Sequence, residues 1–222
     1  MTPIARPLGD EHGIDCSQKL TAESLSHFRL QSAVQVQFVW RYVFFNQARA
    51  GDLDATETAA ILAAGLTLLV VQHVRNPGWT ASGQLGASDG QWAVRNAVEA
   101  GYPANMGLCL ALDLEGLANS GPAVAEFVDQ WCLTVGSAGY VPVLYVGYEC
   151  GLSPQELYDL PHVARYWSDA GPRSVAVRGF CCRQGAEQTI SGVRVDTDHA
   201  FADALGGVLV GLGLNAEPDP DA

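Results

Sequence analysis

The chain has 222 residues, 48% of them hydrophobic, with 12 basic against 24 acidic side chains and a formal net charge of −12. That length supports one domain with a sizeable core. The acidic balance, with no Lys/Arg cluster to reverse it locally, argues against nucleic acid as a partner and disfavours an anionic membrane surface.

In chain order, residues 1–11 read as an N-terminal extension with neither an apolar signal core nor a twin arginine. His12 to Ser17 predicts a short strand carrying Asp15, and Thr21 to Gln31 a helix. Val34 to Val43, rich in Val, Phe, Trp and Tyr, predicts a second strand. Asp54 and Glu57 have the spacing of a helix start with an acid as the cap, and that helix ends near Gly65. Leu66 to Val74 is an apolar run of buried-strand length. Residues 75–87 then form a long loop carrying Trp79, and long loops in compact domains tend to be lids or binding loops.

Ser88 is the expected cap of the next helix, which runs to Ala100. Leu108 to Glu115 is the fourth strand. Gly121-Pro122 opens a helix to Ala138, Val141 to Val146 is the fifth strand, and Ser153-Pro154 with Glu156 starts a short helix. The rhythm changes after that. Val163 to Ser168, Val175 to Cys182 and Gly192 to Asp196 predict three strands with only a few residues between them, too few for helices. A last helix is expected over His199 to Leu212. The barrel domain is set at 12–213 and a disordered acidic tail at 214–222.

Eight strands, the first five alternating with helices, predict an α/β fold: a single (β/α) TIM-like barrel with helices missing between the last strands. No run approaches the roughly 18 apolar residues of a membrane span. Without an export signal, the protein is expected to be synthesised soluble in the cytoplasm and its six cysteines to be free thiols. Cys16, Cys109 and Cys132 lie in apolar surroundings, while Cys181 and Cys182, adjacent on a predicted strand, would face opposite ways. There is no Cys-x-x-Cys pair, so neither a metal nor a cofactor is expected.

The fourth strand carries the chemistry. Strand side chains alternate faces, so Leu108, Leu110, Leu112 and Leu114 share one face and Cys109, Ala111, Asp113 and Glu115 the other. The leucine face suits a helical layer outside a barrel, and the second face suits its crowded interior. Both acids fall at the carboxyl end of the strand, where barrel enzymes hold their active sites. Asp15 and Asp196 also end predicted strands, and strands one and eight are neighbours in a closed barrel. Carboxylates held close raise one another's proton affinity, and a protonated acid beside an ionised one is what glycosidic cleavage uses. Tyr145, Trp167 and Gln184 end the fifth to seventh strands and offer flat apolar and hydrogen-bonding surfaces to a sugar ring.

Gly13-Ile14-Asp15, Asp113-Leu114-Glu115, Tyr145, Trp167, Gln184 and Gly192 to Asp196 together resemble the family 25 glycoside hydrolases, the Asp-x-Glu muramidases of bacteria and phages. The closer resemblance is to a glycoside-hydrolase-like barrel family long labelled a domain of unknown function. In that family an Arg-Tyr pair (here Arg41-Tyr42) ends the second strand and an Asp-Gly helix precedes the acid strand. The similarity runs from about Gly13 to Ala202. It implies that Glu115 is the general acid. It implies that Asp113 orients the 2-acetamido group or stabilises a cationic intermediate, and that Asp15 and Asp196 line the same site. Arg41, Trp79, Tyr145, Trp167 and Gln184 complete the candidate substrate-binding set. One departure stands out: the third strand reads Gln72-His73 where the muramidases often carry Tyr-His.

The expected substrate is thus peptidoglycan or a related N-acetylated glycan, in a cell wall reached by a non-classical or phage route. A catalytically inactive glycan-binding barrel is the alternative, since fold does not settle function. A metal-dependent phosphodiesterase would want histidine pairs and a basic phosphate clamp, which the sequence lacks.

Overall fold

The computed structural model describes residues 2–30 and 35–215, the side chains of residues 29 and 30 excepted. The proposed ends of the first helix at Gln31 and of the second strand at Val34 lie outside the described residues, as does the tail from residue 216 onward. The elements in order are β1 Pro3–Pro7, β2 Glu11–Cys16, α1 Ala22–Leu30, β3 Phe38–Val43, α2 Ala55–Ala63, β4 Thr67–Gln72, α3 Gly83–Glu99 and β5 Cys109–Leu114. There follow α4 Pro122–Ser137, β6 Val141–Val146, α5 Pro154–Tyr158, β7 Arg165–Ser168, β8 Cys182–Ile190, β9 Val193–Ala200 and β10 Val210–Leu214.

Strands β2 to β8 lie side by side and parallel, and β9 closes the ring by pairing antiparallel with both β8 and β2. The result is an eight-stranded TIM-like barrel with no helix between β7 and β8 or between β8 and β9. Alternation sorts the side chains as expected. Phe38, Trp40, Leu69, Val71, Cys109, Ala111, Val143 and Trp167 fill the interior. Leu68, Val70, Leu110, Leu112, Leu114, Leu144 and Val146 pack outward with Phe127, Val128 and Trp131 of α4. Two helix starts also follow the sequence. Asp54 accepts from the Glu57 backbone N–H at 2.8 Å, and Ser153 and Glu156 form a reciprocal capping box.

Four features depart from expectation. Residues 3–8 are no mere extension: β1 pairs antiparallel with β10, and Leu8 joins Leu209 in the interior cluster to plug the barrel floor. The last helix does not form; residues 199–200 end β9, and a turn leads into β10. Glycines explain this, because Gly206, Gly207 and Gly211 would each cost about 1 kcal/mol in a helix. Gly211 is also needed where it stands, since a Cβ there would lie 2.5 Å from Thr67 Cγ2 and 2.7 Å from Leu68 O.

Helix α3 begins at Gly83, capped by Ser82 Oγ accepting from Leu85 N at 3.3 Å, so much of the supposed loop before Ser88 is helix. Its glycines are packing residues: a Cβ on Gly86 would lie 2.0 Å from Phe127 O of α4. Finally, β8 starts at Cys182 instead of ending there. Cys181 and Cys182 therefore both pack in the interior. All six cysteines are free and buried. β8 turns back into β9 through Ser191 and Gly192, both at positive φ, so the carboxyl end of β9 does not open on the same face as the others.

Candidate active site

The mouth is built from inward-facing residues near the carboxyl ends of the parallel strands. Asp113 is the last inward position of β5 and is only 6% exposed. It accepts the Val74 backbone N–H, while its Oδ1 has no hydrogen-bond partner among the described residues. Glu115 follows one residue beyond the strand. The backbone of Glu115 is tied down by Trp79, whose Nε1 donates to Glu115 O at 2.9 Å. Its side chain lies over Gly147, where a Cβ would come within 2.4 Å of Glu115 Oε2. Glycine at 147 is the condition for that placement.

Asp15, on β2, is 3% exposed and sits in a hydrogen-bonded relay. Tyr42 OH donates to its Oδ1 at 3.0 Å and Gln184 Nε2 to its Oδ2 at 2.8 Å. Tyr145 OH donates to Gln184 Oε1 at 2.9 Å, which fixes the amide with its nitrogen toward Asp15. Below the relay, Trp167 stacks on Trp40 with ring centroids 4.8 Å apart and meets Tyr145 edge-on at 4.5 Å. Trp167 is thus a buried floor under the mouth. Asp196 pairs in register with Asp15. It lies at mouth level because β9 runs backwards and passes Asp15 in mid-strand.

The recess beside Asp15 measures about 340 Å³ and is lined by Gln18, Tyr42, Glu187, Arg194 and Asp196 as well. Of the expected set, Asp15, Asp113, Glu115, Tyr145, Gln184 and Asp196 converge on one mouth, with Trp79 and Trp167 supporting it from the loop and the floor.

Arg41 does not join them. It has the opposite parity from Trp40 and Tyr42 and points out of the barrel, fully buried. There it pairs with Glu57 of α2 (Nε to Oε1 2.7 Å, Nη2 to Oε2 3.1 Å) and donates to Cys16 O and Gly51 O. The structure makes it the anchor of α2.

Sequence reasoning passed over two acids. Asp198, 2% exposed, shares the inner face with Asp196 and accepts from Trp167 Nε1 at 2.9 Å. Strand alternation would have found it had the strand been carried past Asp196. Asp169 directly follows β7 and bears electrostatically on Glu115. The strand-end rule that selected Trp167 would have found it two residues later.

Burial and mutual repulsion keep protons in this site. Burial, then Asp169, pushes Glu115 up to about 7. Burial and Asp196 push Asp15 up to about 7 against the opposing hydrogen bonds from Gln184 and Tyr42. Asp113 is driven well above the carboxylate range by burial first, then by Glu115 and Asp15. His73, in the loop after β4, is lowered to about 4 by burial, Arg41 and Arg49 and is neutral near pH 7. Among the described residues no group of three or more His, Cys, Asp or Glu side chains is disposed to hold a metal ion. What the mouth does offer is a proton donor titrating near neutrality beside a second, deeper acid.

Comparison with known proteins agrees with this geometry. Among curated proteins, none matches the sequence. Among solved structures, an uncharacterized B. stearothermophilus protein superimposes with a TM-score of 0.68 at 19% identity, over 89% of this chain and 99% of that one. The catalytic domain of endolysin ply40 from bacteriophage P40 of Listeria monocytogenes gives 0.63 at 15% identity, over 86% and 93%. The modular autolysin LytC from Streptococcus pneumoniae, in complex with a synthetic peptidoglycan ligand, gives 0.57 at 12% identity, over 86% of this chain and 46% of that one. At these identities the likeness is one of fold. A family model goes further: it matches residues 30–197, more than half of the chain and a span that includes Asp113, Glu115 and Asp196. The chain belongs to the Rv2525c-like, glycoside hydrolase-like domain family.

Proposed function

We propose that this protein hydrolyses glycosidic bonds in peptidoglycan or a related N-acetylated glycan, at the cell wall, with Glu115 as the general acid. The observation that carries the reading is Glu115 itself. It stands at the barrel mouth beside Asp113, with its proton affinity raised to about 7. A catalytic acid works best when its pKa lies near the working pH. Glu115 can therefore hold a proton under neutral conditions and deliver it to the leaving glycosidic oxygen. Asp113 enters later in the reaction coordinate. Burial beside Glu115 and Asp15 raises its proton affinity and favours its protonated form. A sugar acquiring positive charge would reverse that balance, because an anion at Asp113 would then face a cation in a medium of low dielectric. Its ionisation, with the proton passing to a Glu115 that has just given its own to the leaving oxygen, is thereby coupled to the oxocarbenium-like transition state. Tyr145 and Gln184 border the same space and support the binding of a hydroxylated ring.

The test is incubation with purified peptidoglycan, followed by mass analysis of the released fragments, for the native protein and for Glu115→Gln. The amide keeps the size of the side chain but carries no transferable proton. General acid catalysis contributes about 10²–10⁴-fold, and release should fall by that order while glycan binding persists. Native protein that binds the glycan without releasing fragments would make the barrel a non-catalytic glycan-binding module.

A further inference from the structure

One buried acid plays no part in that mechanism. Asp198 lies a layer below the mouth, in register with Gly13 of β2 and Gln184 of β8. Its Oδ1 receives Trp167 Nε1 at 2.9 Å and, weakly, the Cys182 thiol at 3.8 Å. Its Oδ2 is buried and meets no donor among the described residues, while Asp15, two residues along β2 from its register partner Gly13 and held by its other register partner Gln184, stands diagonally across from it on the same inward face. Two ionised carboxylates in that arrangement would repel each other and leave Oδ2 without a partner. One proton between them removes both difficulties.

The surroundings decide which acid holds it. Asp15 already accepts on both oxygens, from Tyr42 and from an amide whose orientation Tyr145 fixes. Asp198 has a single nitrogen donor and one empty oxygen. The charges bearing on it are those of Asp15 and Asp196. The other polar groups around the pair are Tyr42 and Trp40 of β3, Asp113 of β5, Tyr145 of β6, Trp167 of β7 and Cys182 of β8, none of them a cation. We propose that Asp198 is a positioning residue that carries the proton of an Asp15–Asp198 pair and donates it to Asp15, so that Asp15 stands in the mouth as an anion held by three donors. Each acid bears on the other in this sense: Asp198 opposes the rise that burial imposes on Asp15, and Asp15 adds to the rise that burial imposes on Asp198.

The proton assignment needs no substrate; only its consequence for the pH profile of hydrolysis rests on the proposed function. The experiment is a carbon-13 carboxyl NMR titration of the intact chain labelled at aspartate, with Asp15→Asn and Asp113→Asn used to assign resonances. Asn mimics a protonated Asp198, since its carbonyl accepts from Trp167 and its amide donates to Asp15. Asp198→Asn should therefore fold, show one fewer neutral carboxyl than the native protein at pH 8, and leave the Asp15 midpoint within about half a unit. Asp198→Ala removes a donor and should raise the Asp15 midpoint by about a unit or more. If Asp198 is instead the anion, Asp198→Asn removes a neighbouring negative charge and the Asp15 midpoint drops by more than about one unit. That drop, an unchanged number of neutral carboxyls, or failure of Asp198→Asn to fold would each overturn the assignment. Because the readout is a titration, a protein that cleaves no glycan can still meet it, and a hydrolase can still fail it.

Discussion

Gly147→Ala tests the placement of Glu115 without touching its chemistry. Gly147 follows β6 and is absent from the positions with positive φ, so alanine meets no backbone obstacle. The obstacle is Glu115: the new methyl would stand 2.4 Å from Oε2, 2.6 Å from Glu115 Cβ and 3.0 Å from Tyr145 Cε1. Carbon contacts settle at roughly 3.5–4.0 Å. The carboxyl must therefore retreat by about 1 Å, and a misplacement of that size can cost about 10²-fold in rate. Overpacking of this kind costs about 1–3 kcal/mol, so the barrel should stay folded with a lowered denaturation midpoint. The assay is fragment release from peptidoglycan measured beside glycan binding and urea unfolding. Release near the native rate from a variant that unfolds normally would refute the claim that this glycine positions the acid.

Two further predictions concern the fold around the site. Burial pushes Asp15 and Glu115 up to about 7 and holds Asp113 well above the carboxylate range, all above their unfolded values. The stability that their bound protons confer is thus complete below about pH 4 and is lost as pH rises through 7. Denaturant titration should show a loss of about 2–4 kcal/mol between pH 5 and pH 8; a flat or rising curve over that window would contradict the buried-proton picture. Arg41→Met strands Glu57 as a buried anion and should cost about 3–5 kcal/mol, with part of the loss restored by adding Glu57→Gln. Glycan binding per folded molecule should be unaffected, and its selective loss at full stability would return Arg41 to the binding surface.

Parity and spacing made part of this molecule readable from sequence. The leucine and acid faces of β5 followed from alternation alone, as did the Asp54 and Ser153 helix starts from cap chemistry. The same parity, applied to Phe38-Val39-Trp40-Arg41-Tyr42, would have sent Arg41 outward opposite Trp40 and Tyr42. The dipeptide motif Arg41-Tyr42 obscures it, because it treats two residues of opposite parity as one unit. The reversal of β9 was also accessible in principle. Parallel neighbours need a crossover of a dozen or more residues, whereas Ser191-Gly192 leaves room only for a hairpin. Glycines are hard to read from sequence in two stretches. In α3, Gly83, Gly86 and Gly90 are there to admit α4 and its side chains, and the first two fall in the stretch expected to be loop. Near the C-terminus, Gly206, Gly207 and Gly211 fall inside the expected helix, and the result is strand β10. Glycine's meaning depends on what approaches it, which only the folded chain displays.

That reversed strand also explains the character of the site. Had β9 run parallel to its neighbours, only its terminal residue would reach the mouth. Running backwards, it presents Asp196 at the level of Asp15 and Asp198 one layer below, with Arg194 of the same strand bearing on Asp196. Arg194, the arginine of the adjoining recess, is engaged by Glu187 at 2.9 Å. A mouth so built stores protons in place of net charge. It suits a neutral substrate that develops positive charge only as its bond breaks. Asp113 can then give its proton to the emptied Glu115 when the cation appears and not before, which concentrates the electrostatic gain in the transition state and leaves the bound substrate little affected.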